Sequence, residues 1–293
     1  MSVLKIIKTK LFPKLNESME EFVLPEFPTG DRIPKIIHQT YRSSTLPKEL
    51  EENRKRFLAL NPSWEYRFYD DRAVIDFITK NFSSEILDYY NKINPAYGAA
   101  KADLFRYLVV YKCGGLYLDI KSSITAPLDS FLLENDTYII AQWKNKKNEE
   151  FEGWGLHYDL REIEGGEFQQ WHVIAAPGHP FLRAVIQRVL TNISLYLPSL
   201  HGVGKNGVLR VTGPTAYTLA IAPLLASCSH RIITDEMQFP VKYSIYDYDS
   251  HINVLKAHYS NANTPVVKIG GARQVYSKLV EGLNKIDNAL RNK

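Results

Sequence analysis

Residues 99–122 read AAKADLFRYLVVYKCGGLYLDIKS, and this stretch decides the fold. Its first half predicts a helix. Leu104, Leu108 and Tyr111, with Phe105 and Val109 beside them, recur at the spacing of one broad buried face. Asp103 and Arg106 are three apart and therefore neighbours on one side of that helix. Lys112 sits in the last turn and Gly114-Gly115 supply the stop. The period then changes to that of a strand. Leu116, Leu118 and Ile120 point one way, while Tyr117, Asp119 and Lys121 point the other. An acid and a base thus leave the C-terminal end of a buried strand on the same face, the end at which open α/β sheets bind ligands.

Working outward, Ile33–Gln39 is short, apolar and β-branched, as a buried parallel strand should be. It runs into His38, Gln39, Thr40 and Tyr41. These side chains could line a ligand pocket or simply satisfy a loop's backbone. A helix over Leu46–Leu60 and a strand over Trp64–Tyr69 follow. Asp70-Asp71 then opens a helix from about Arg72 to Lys80; capping is the commoner use of such a pair, metal or acid/base work the other. A helix over Ser84–Ile93 precedes the central stretch. Alternating strands and helices predict a mostly parallel sheet with crossover helices, an α/β fold.

Beyond the centre, Tyr138–Trp143 and Gln169–Ala175 read as strands. The polar stretch Lys144–Glu167 between them contains Trp154 and His157 and is too long for an ordinary connection, so it predicts a loop or lid. Phe181–Leu197 predicts a helix. Gly202–Gly207 predicts a flexible glycine loop, but no Lys-Ser/Thr pair follows in register, so it is not a P-loop. A helix ending near Ala226, late strands at Ile232-Ile233 and Val254–His258, and a polar helix over the last twenty residues complete the reading.

Composition narrows the function classes. With 293 residues, 45% of them hydrophobic, the chain can bury a substantial core. We read residues 1–30 as an N-terminal arm and 31–293 as a single domain. The net charge of +4 is spread rather than clustered, and no basic stripe or recognisable module points to nucleic acid. Cys113 and Cys228 lack metal or redox spacing; they read as free core thiols of a reducing, cytoplasmic compartment. No run of about 18 apolar residues predicts a transmembrane helix. Residues 1–15, basic and apolar, read as a packing arm or as an amphipathic helix in peripheral contact with a membrane.

Three blocks carry a resemblance: IPKIIHQT at 33–40, NPSWEYRFYDD at 61–71 and KADLFRYLVVYKCGGLYLDIKS at 101–122. They resemble the family 32 glycosyltransferases, the DXD-containing sugar transferases related to yeast initiating mannosyltransferases, bacterial capsule and lipopolysaccharide enzymes and clostridial glucosylating toxins. PGHPFL at 177–182 and TGP at 212–214 resemble later blocks of that family. The resemblance implies a GT-A (Rossmann-like) fold, a UDP- or GDP-linked sugar donor, a glycan or glycolipid acceptor, and transfer with retention of configuration. It implies that His38, Gln39, Thr40 and Tyr41 contribute to the nucleotide pocket, and that Asp103 and Arg106 contact the donor sugar. Asp119 matches the first aspartate of DXD.

Lys121 stands where the family has the second aspartate, the one expected to ligate Mn²⁺ or Mg²⁺. A protonated lysine cannot ligate a metal. Either Lys121 itself supplies positive charge to the leaving diphosphate, or a divalent ion is held by Asp119 with help from Asp129 or His258. Gln170 and His172 are candidates for the acceptor side, or ordinary strand polar residues. The departure at Lys121 also motivates a second function, a catalytically inactive nucleotide-sugar-binding or assembly protein. A metal-dependent hydrolase is the weaker third reading, because no His/Asp cluster has ligand spacing.

Overall fold

The computed structural model describes residues 22–233, 239–246 and 263–282, except 272 and 281. Residues 1–15, the segment 254–258 and His258 lie outside the described residues.

Six strands form the central sheet: β1 (Ile36–Thr40), β2 (Glu65–Tyr69), β3 (Gly115–Leu118), β5 (Tyr138–Ile140), β6 (His172–Ala175) and β7 (Arg231–Ile232). β4 (Ser123–Ile124) and β8 (Val241–Lys242) make a separate antiparallel pair. The helices are α1 (Lys48–Leu60), α2 (Asp71–Asn81), α3 (Ser84–Lys92), α4 (Gly98–Cys113), α5 (Pro180–Ser194), α6 (Pro198–His201), α7 (Gly204–Val211) and α8 (Pro214–Ile221). The sheet order is β2-β1-β3-β6-β5-β7. β1 pairs in parallel with β2 and β3, and β5 with β7, while β6 runs against both its neighbours. The mostly parallel α/β sheet expected of a GT-A fold is thus present, with one strand reversed.

The strand alternation read from sequence separates two cores. Ile37, Leu116, Leu118, Ile139 and Ile174 face one apolar cluster with Phe57 of α1; Tyr117, Tyr138, Ile140, Val173 and Ala175 face the other, beneath α4 and α5. Helix α4 is more deeply buried than a one-faced helix: every residue from Asp103 to Tyr111 is buried. Its position between the sheet and α5 explains why apolar residues surround it.

The double glycine has a steric cause. Gly114 and Gly115 both have positive φ, at 65° and 99°. A Cβ on Gly115 would lie 2.5 Å from the Ile36 carbonyl oxygen. Only glycine lets the chain leave α4 and enter β3 directly against β1. The PGHP segment packs over the same corner, with Gly178 N donating to Tyr111 O at 2.8 Å.

Two local expectations change. The strand ends at Leu118, and Asp119–Ser122 is a turn closed by Ser122 N to Asp119 O at 2.9 Å. The predicted glycine loop 202–207 instead starts α7 at Gly204. The 144–167 stretch is a long loop, as expected, and is pinned by its own side chains: Asn145 Nδ2 donates to the carbonyls of Trp154 (2.7 Å) and Gly165 (3.0 Å). The described part of the arm packs on the domain, with Phe22 and Leu24 buried and Phe22 N donating to Gln187 Oε1 at 3.0 Å. Both cysteines are free thiols. No described helix is long and apolar enough to cross a membrane.

Candidate active site

A cavity of about 1070 Å³ opens where β1 and β3 end. Thr40, Tyr41, Asp103, Arg106, Asp119, Lys121 and Gln170 all line it. Antiparallel pairing assembles its centre. Leu118 faces His172 across the β3/β6 ladder, and Asp119 N extends that ladder by donating to Trp171 O at 2.8 Å. Gln170, one residue earlier on that chain, is thereby brought opposite the Asp103–Arg106 face of α4.

Arg106 is the hub. Its Nη2 donates to Asp119 Oδ1 at 2.8 Å and lies 3.1 Å from Asp103 Oδ1. Its Nη1 bonds the Gln170 carbonyl at 2.5 Å and also the Gln170 side chain. Its guanidinium carbon stands 4.8 Å from the centroid of the Tyr117 ring. Burial works against the Arg106 charge, but the Asp119 and Asp103 carboxylates outweigh it and hold its pKa above the ordinary arginine value. The Asp103–Arg106 pair is therefore a buried ion pair rather than a solvated surface pair.

Asp103 is held on both oxygens. Oδ1 also accepts from Gln170 Nε2 at 3.2 Å, and Oδ2 accepts from Thr212 Oγ1 at 2.8 Å. Burial raises its pKa, and Arg106 and Thr212 offset part of that rise. The TGP block thus contributes the hydroxyl that fixes this carboxylate. Asp119 is more open: its side chain is 25% exposed, and one oxygen is occupied by Arg106. Lys121 Nζ donates to Tyr243 Oη at 2.7 Å. Burial lowers the Lys121 pKa below the usual lysine value; Asp119 offsets this and Arg106 adds to it.

Four candidates stand elsewhere. His38 is fully buried in β1, with Nε2 2.9 Å from Gly114 O and Nδ1 3.2 Å from Tyr69 Oη. A carbonyl only accepts, so Nε2 carries the proton and Nδ1 accepts from the tyrosine. Burial pushes its pKa down to about 4. Gln39 is buried as well, donating to Asp119 O at 3.3 Å and accepting from Tyr66 Oη at 3.1 Å. These two support the cavity's edge and do not line it. His172 lies in the sheet interior, 3.2 Å from Gln169 Oε1, and burial, reinforced by Arg106, pushes its pKa down to about 3. It is a core residue and does not line the cavity. Asp129 is tied to Lys35 at 2.7 Å, Ser63 at 3.0 Å and Trp64 Nε1 at 2.8 Å, away from the cavity, and so cannot assist Asp119.

The family implies a divalent ion between two carboxylates. Here Asp119 presents one carboxylate, already sharing an oxygen with Arg106, and the next like-facing group is an ammonium. Among the described residues no group of three His, Cys, Asp or Glu could hold a metal. The described donor set therefore does not fit a directly ligated two-carboxylate site.

Other lining residues were weakly marked in the sequence or not marked at all. Asp70 is a helix cap, accepting from Ala73 N at 2.9 Å, whereas its neighbour Asp71 reaches the cavity. Lys101, Trp171, Lys205 and Tyr243 also line it. The long loop supplies Gly153, Trp154, Gly155, His157 and Glu167. Trp154 and His157 stood out as large side chains in an otherwise polar loop; Tyr243 is distant in sequence and is brought to the site by packing on Trp143, Trp154 and Trp171.

Residues 47–140 match the family described as the glycosyltransferase sugar-binding region containing a DXD motif. The initiation-specific alpha-1,6-mannosyltransferase of Schizosaccharomyces pombe is 30% identical over 216 residues, covering 68% of this chain and 50% of that protein. A mannosyl phosphorylinositol ceramide synthase of Saccharomyces cerevisiae is 33% identical over 115 residues, covering 39% of this chain and 29% of that protein. The matched part is thus half or less of each relative's length. Among solved structures, the PaToxG glycosyltransferase superposes with a TM-score of 0.48 at 13% identity, over 87% of this chain and 88% of that one. The sequence blocks around Asp103, Arg106 and Asp119 lie inside the matched region, and this part of the chain is similar to the DXD-containing glycosyltransferases.

Proposed function

We propose that this protein transfers a sugar from a nucleoside diphosphate sugar to a hydroxyl of a glycan or glycolipid, with retention of configuration. The mannosyltransferase names of its relatives favour a mannosyl donor. The observation that carries the reading is the Arg106 hub, a buried guanidinium that binds Asp119 and Asp103 on one wall of a single cavity.

In this reading the Asp103 and Asp119 carboxylates accept hydrogen bonds from donor hydroxyls. Arg106 pairs with both and holds them on the cavity wall. Lys121 faces the diphosphate and stabilises the negative charge that develops as the bond to the sugar breaks. The absence of a second carboxylate is thereby compensated by a cation built into the chain. Tyr41 and Thr40, at the end of β1, border the nucleotide.

The lysine at the second DXD position also favours an inactive nucleotide-sugar-binding protein. The two readings separate on one variant. The transferase reading expects Asp119→Ala to fold, to lose donor binding, and to lose release of nucleoside diphosphate from GDP-mannose or UDP-glucose by at least about 100-fold. A wild type that binds donor but releases none would favour the binding protein. EDTA should leave wild-type turnover largely intact; full dependence on Mn²⁺ would remove Lys121 from its assigned role.

A further inference from the structure

The 144–167 loop brings to the same cavity a histidine–glutamate pair that the donor wall does not use. His157 Nε2 lies 2.9 Å from Glu167 Oε2. Glu167 Oε1 accepts from Trp143 Nε1 at 2.6 Å. Glu167 is 7% exposed, so both its oxygens are committed inside the protein. The His157 side chain is 30% exposed and lines the cavity.

This arrangement sets the histidine's proton. An indole nitrogen can only donate, so Oε1 must accept. An ionised carboxylate has no proton to give, so His157 Nε2 must donate to Oε2. The neutral ring then carries its hydrogen on Nε2 and a lone pair on Nδ1. The pair is also built into the backbone. Glu167 N and His157 N both donate to Gly155 O, at 3.0 and 3.1 Å. Gly155 has a φ of +73°, and a Cβ there would lie 2.6 Å from Glu167 Cγ and 2.9 Å from Trp143 Cδ1. Any larger residue at 155 would displace the carboxylate that orients the ring.

The wall between this pair and Lys121 is aromatic. Tyr243, which holds Lys121, packs on Trp143, Trp154 and Trp171 with ring centroids 5.2, 5.9 and 5.5 Å apart. Trp143 in turn holds Glu167. Aromatic faces beside a hydrogen-bond acceptor suit a sugar ring that presents a hydroxyl.

We propose that His157 is a catalytic residue of the acceptor side, and that Glu167 is its positioning residue. This rests on the transferase reading above. His157 Nδ1 accepts a hydrogen bond from the acceptor hydroxyl. As the acceptor oxygen bonds to the anomeric carbon on the same face from which the diphosphate departs, the carbon–oxygen bond to the diphosphate breaks and its electron pair leaves with the nucleoside diphosphate, so configuration is retained. The acceptor proton passes to Nδ1, and Glu167 stabilises the imidazolium.

The test uses wild type, Glu167→Gln, His157→Asn and Asp119→Ala, with GDP-mannose and UDP-glucose tried in turn as donor and methyl α-mannoside as acceptor probe. Glu167→Gln is close to isosteric. Trp143 N–H must still face the amide oxygen, so the amide NH₂ faces His157 and forces the ring's hydrogen onto Nδ1. ¹⁵N NMR of the imidazoles, with His157 assigned from its loss in His157→Asn, should show hydrogen on Nε2 in wild type and on Nδ1 in Glu167→Gln. Donor Kd should stay within about twofold of wild type in both loop variants, while kcat falls by at least about 100-fold, as loss of a general base or of its tautomer predicts. Should Glu167→Gln fail to fold, His157→Asn, at a partly exposed position, carries the test. Turnover within about threefold of wild type in His157→Asn would overturn the proposal. So would hydrogen on Nδ1 in the wild type. A wild type that binds donor without turning it over would refute the transferase reading on which the proposal rests. A wild type that binds no donor, or Asp119→Ala that binds donor as wild type does, would instead refute the donor reading beneath it.

Discussion

Replacing Arg106 with methionine isolates the charge balance on which the donor wall depends. The substitution keeps length and apolar character but removes the cation between Asp103 and Asp119. Asp119 is partly exposed and can be rehydrated, whereas Asp103 is 3% exposed and keeps only Thr212 and Gln170 as partners. Stranding a buried carboxylate in this way costs about 3–5 kcal/mol, a large share of the roughly 5–15 kcal/mol that stabilises a typical domain. With a urea slope of about 3 kcal/mol per M for a chain of this size, the midpoint should fall by about 1–2 M at pH 7. Adding Asp103→Asn to Arg106→Met removes the stranded charge while keeping an oxygen for Thr212, and should recover about 1–3 kcal/mol, a positive coupling in the double-mutant cycle. The pH dependence has a definite sign. Burial already raises the Asp103 pKa, and loss of Arg106 raises it further. A folded-state pKa above the unfolded value favours folding below the unfolded pKa, and that advantage disappears as pH rises through the folded one. The deficit of Arg106→Met should therefore be smaller at pH 5 than at pH 7. Urea titrations of the four proteins at both pH values, followed by tryptophan fluorescence, read all of this. A loss under about 1 kcal/mol with no coupling to Asp103 would refute the hub.

Other perturbations test the core and the leaving-group cation. His38 and His172 have folded pKa values of about 4 and about 3, below the ordinary 6.5, so unfolding takes up protons as pH falls below 6.5. Their stabilisation is complete above 6.5 and is lost as pH drops toward the folded values, by about 2 kcal/mol each at pH 5. A urea midpoint unchanged between pH 7 and pH 5 would contradict this. At the other end of the pH range, the lowered Lys121 pKa predicts that donor turnover falls on an alkaline limb below the usual lysine value. Lys121→Arg should shift that limb upward, because guanidinium stays charged; an unmoved limb would assign it to another group.

The chemistry of single residues was a poor guide at two histidines and a good one along the central stretch. His38 and His172 look like site residues in sequence because a polar side chain on a strand has two equally valid fates. Which fate applies depends on Gly114 O, Tyr69 Oη and Gln169 Oε1, partners that only folding brings within 2.9–3.2 Å. Asp103 and Arg106 were legible because helix periodicity places them without reference to the rest of the chain, and Asp119 because it directly follows the strand that the double glycine starts. Thr212, Tyr243 and Glu167 were not, because their roles come from contacts made across 109, 122 and 24 residues.

Local order was therefore determined by the sequence alone: the helix, the double glycine stop, the short strand that follows it, and the lysine at the second DXD position. Tertiary structure decided which charges meet. It brought Gln170 against Arg106 through the reversed strand β6, took His38 and His172 into the core, and closed His157 onto Glu167. The physical reason is range. Backbone periodicity acts over a few residues, whereas desolvation and hydrogen-bond pairing depend on segments that only the packed sheet brings together.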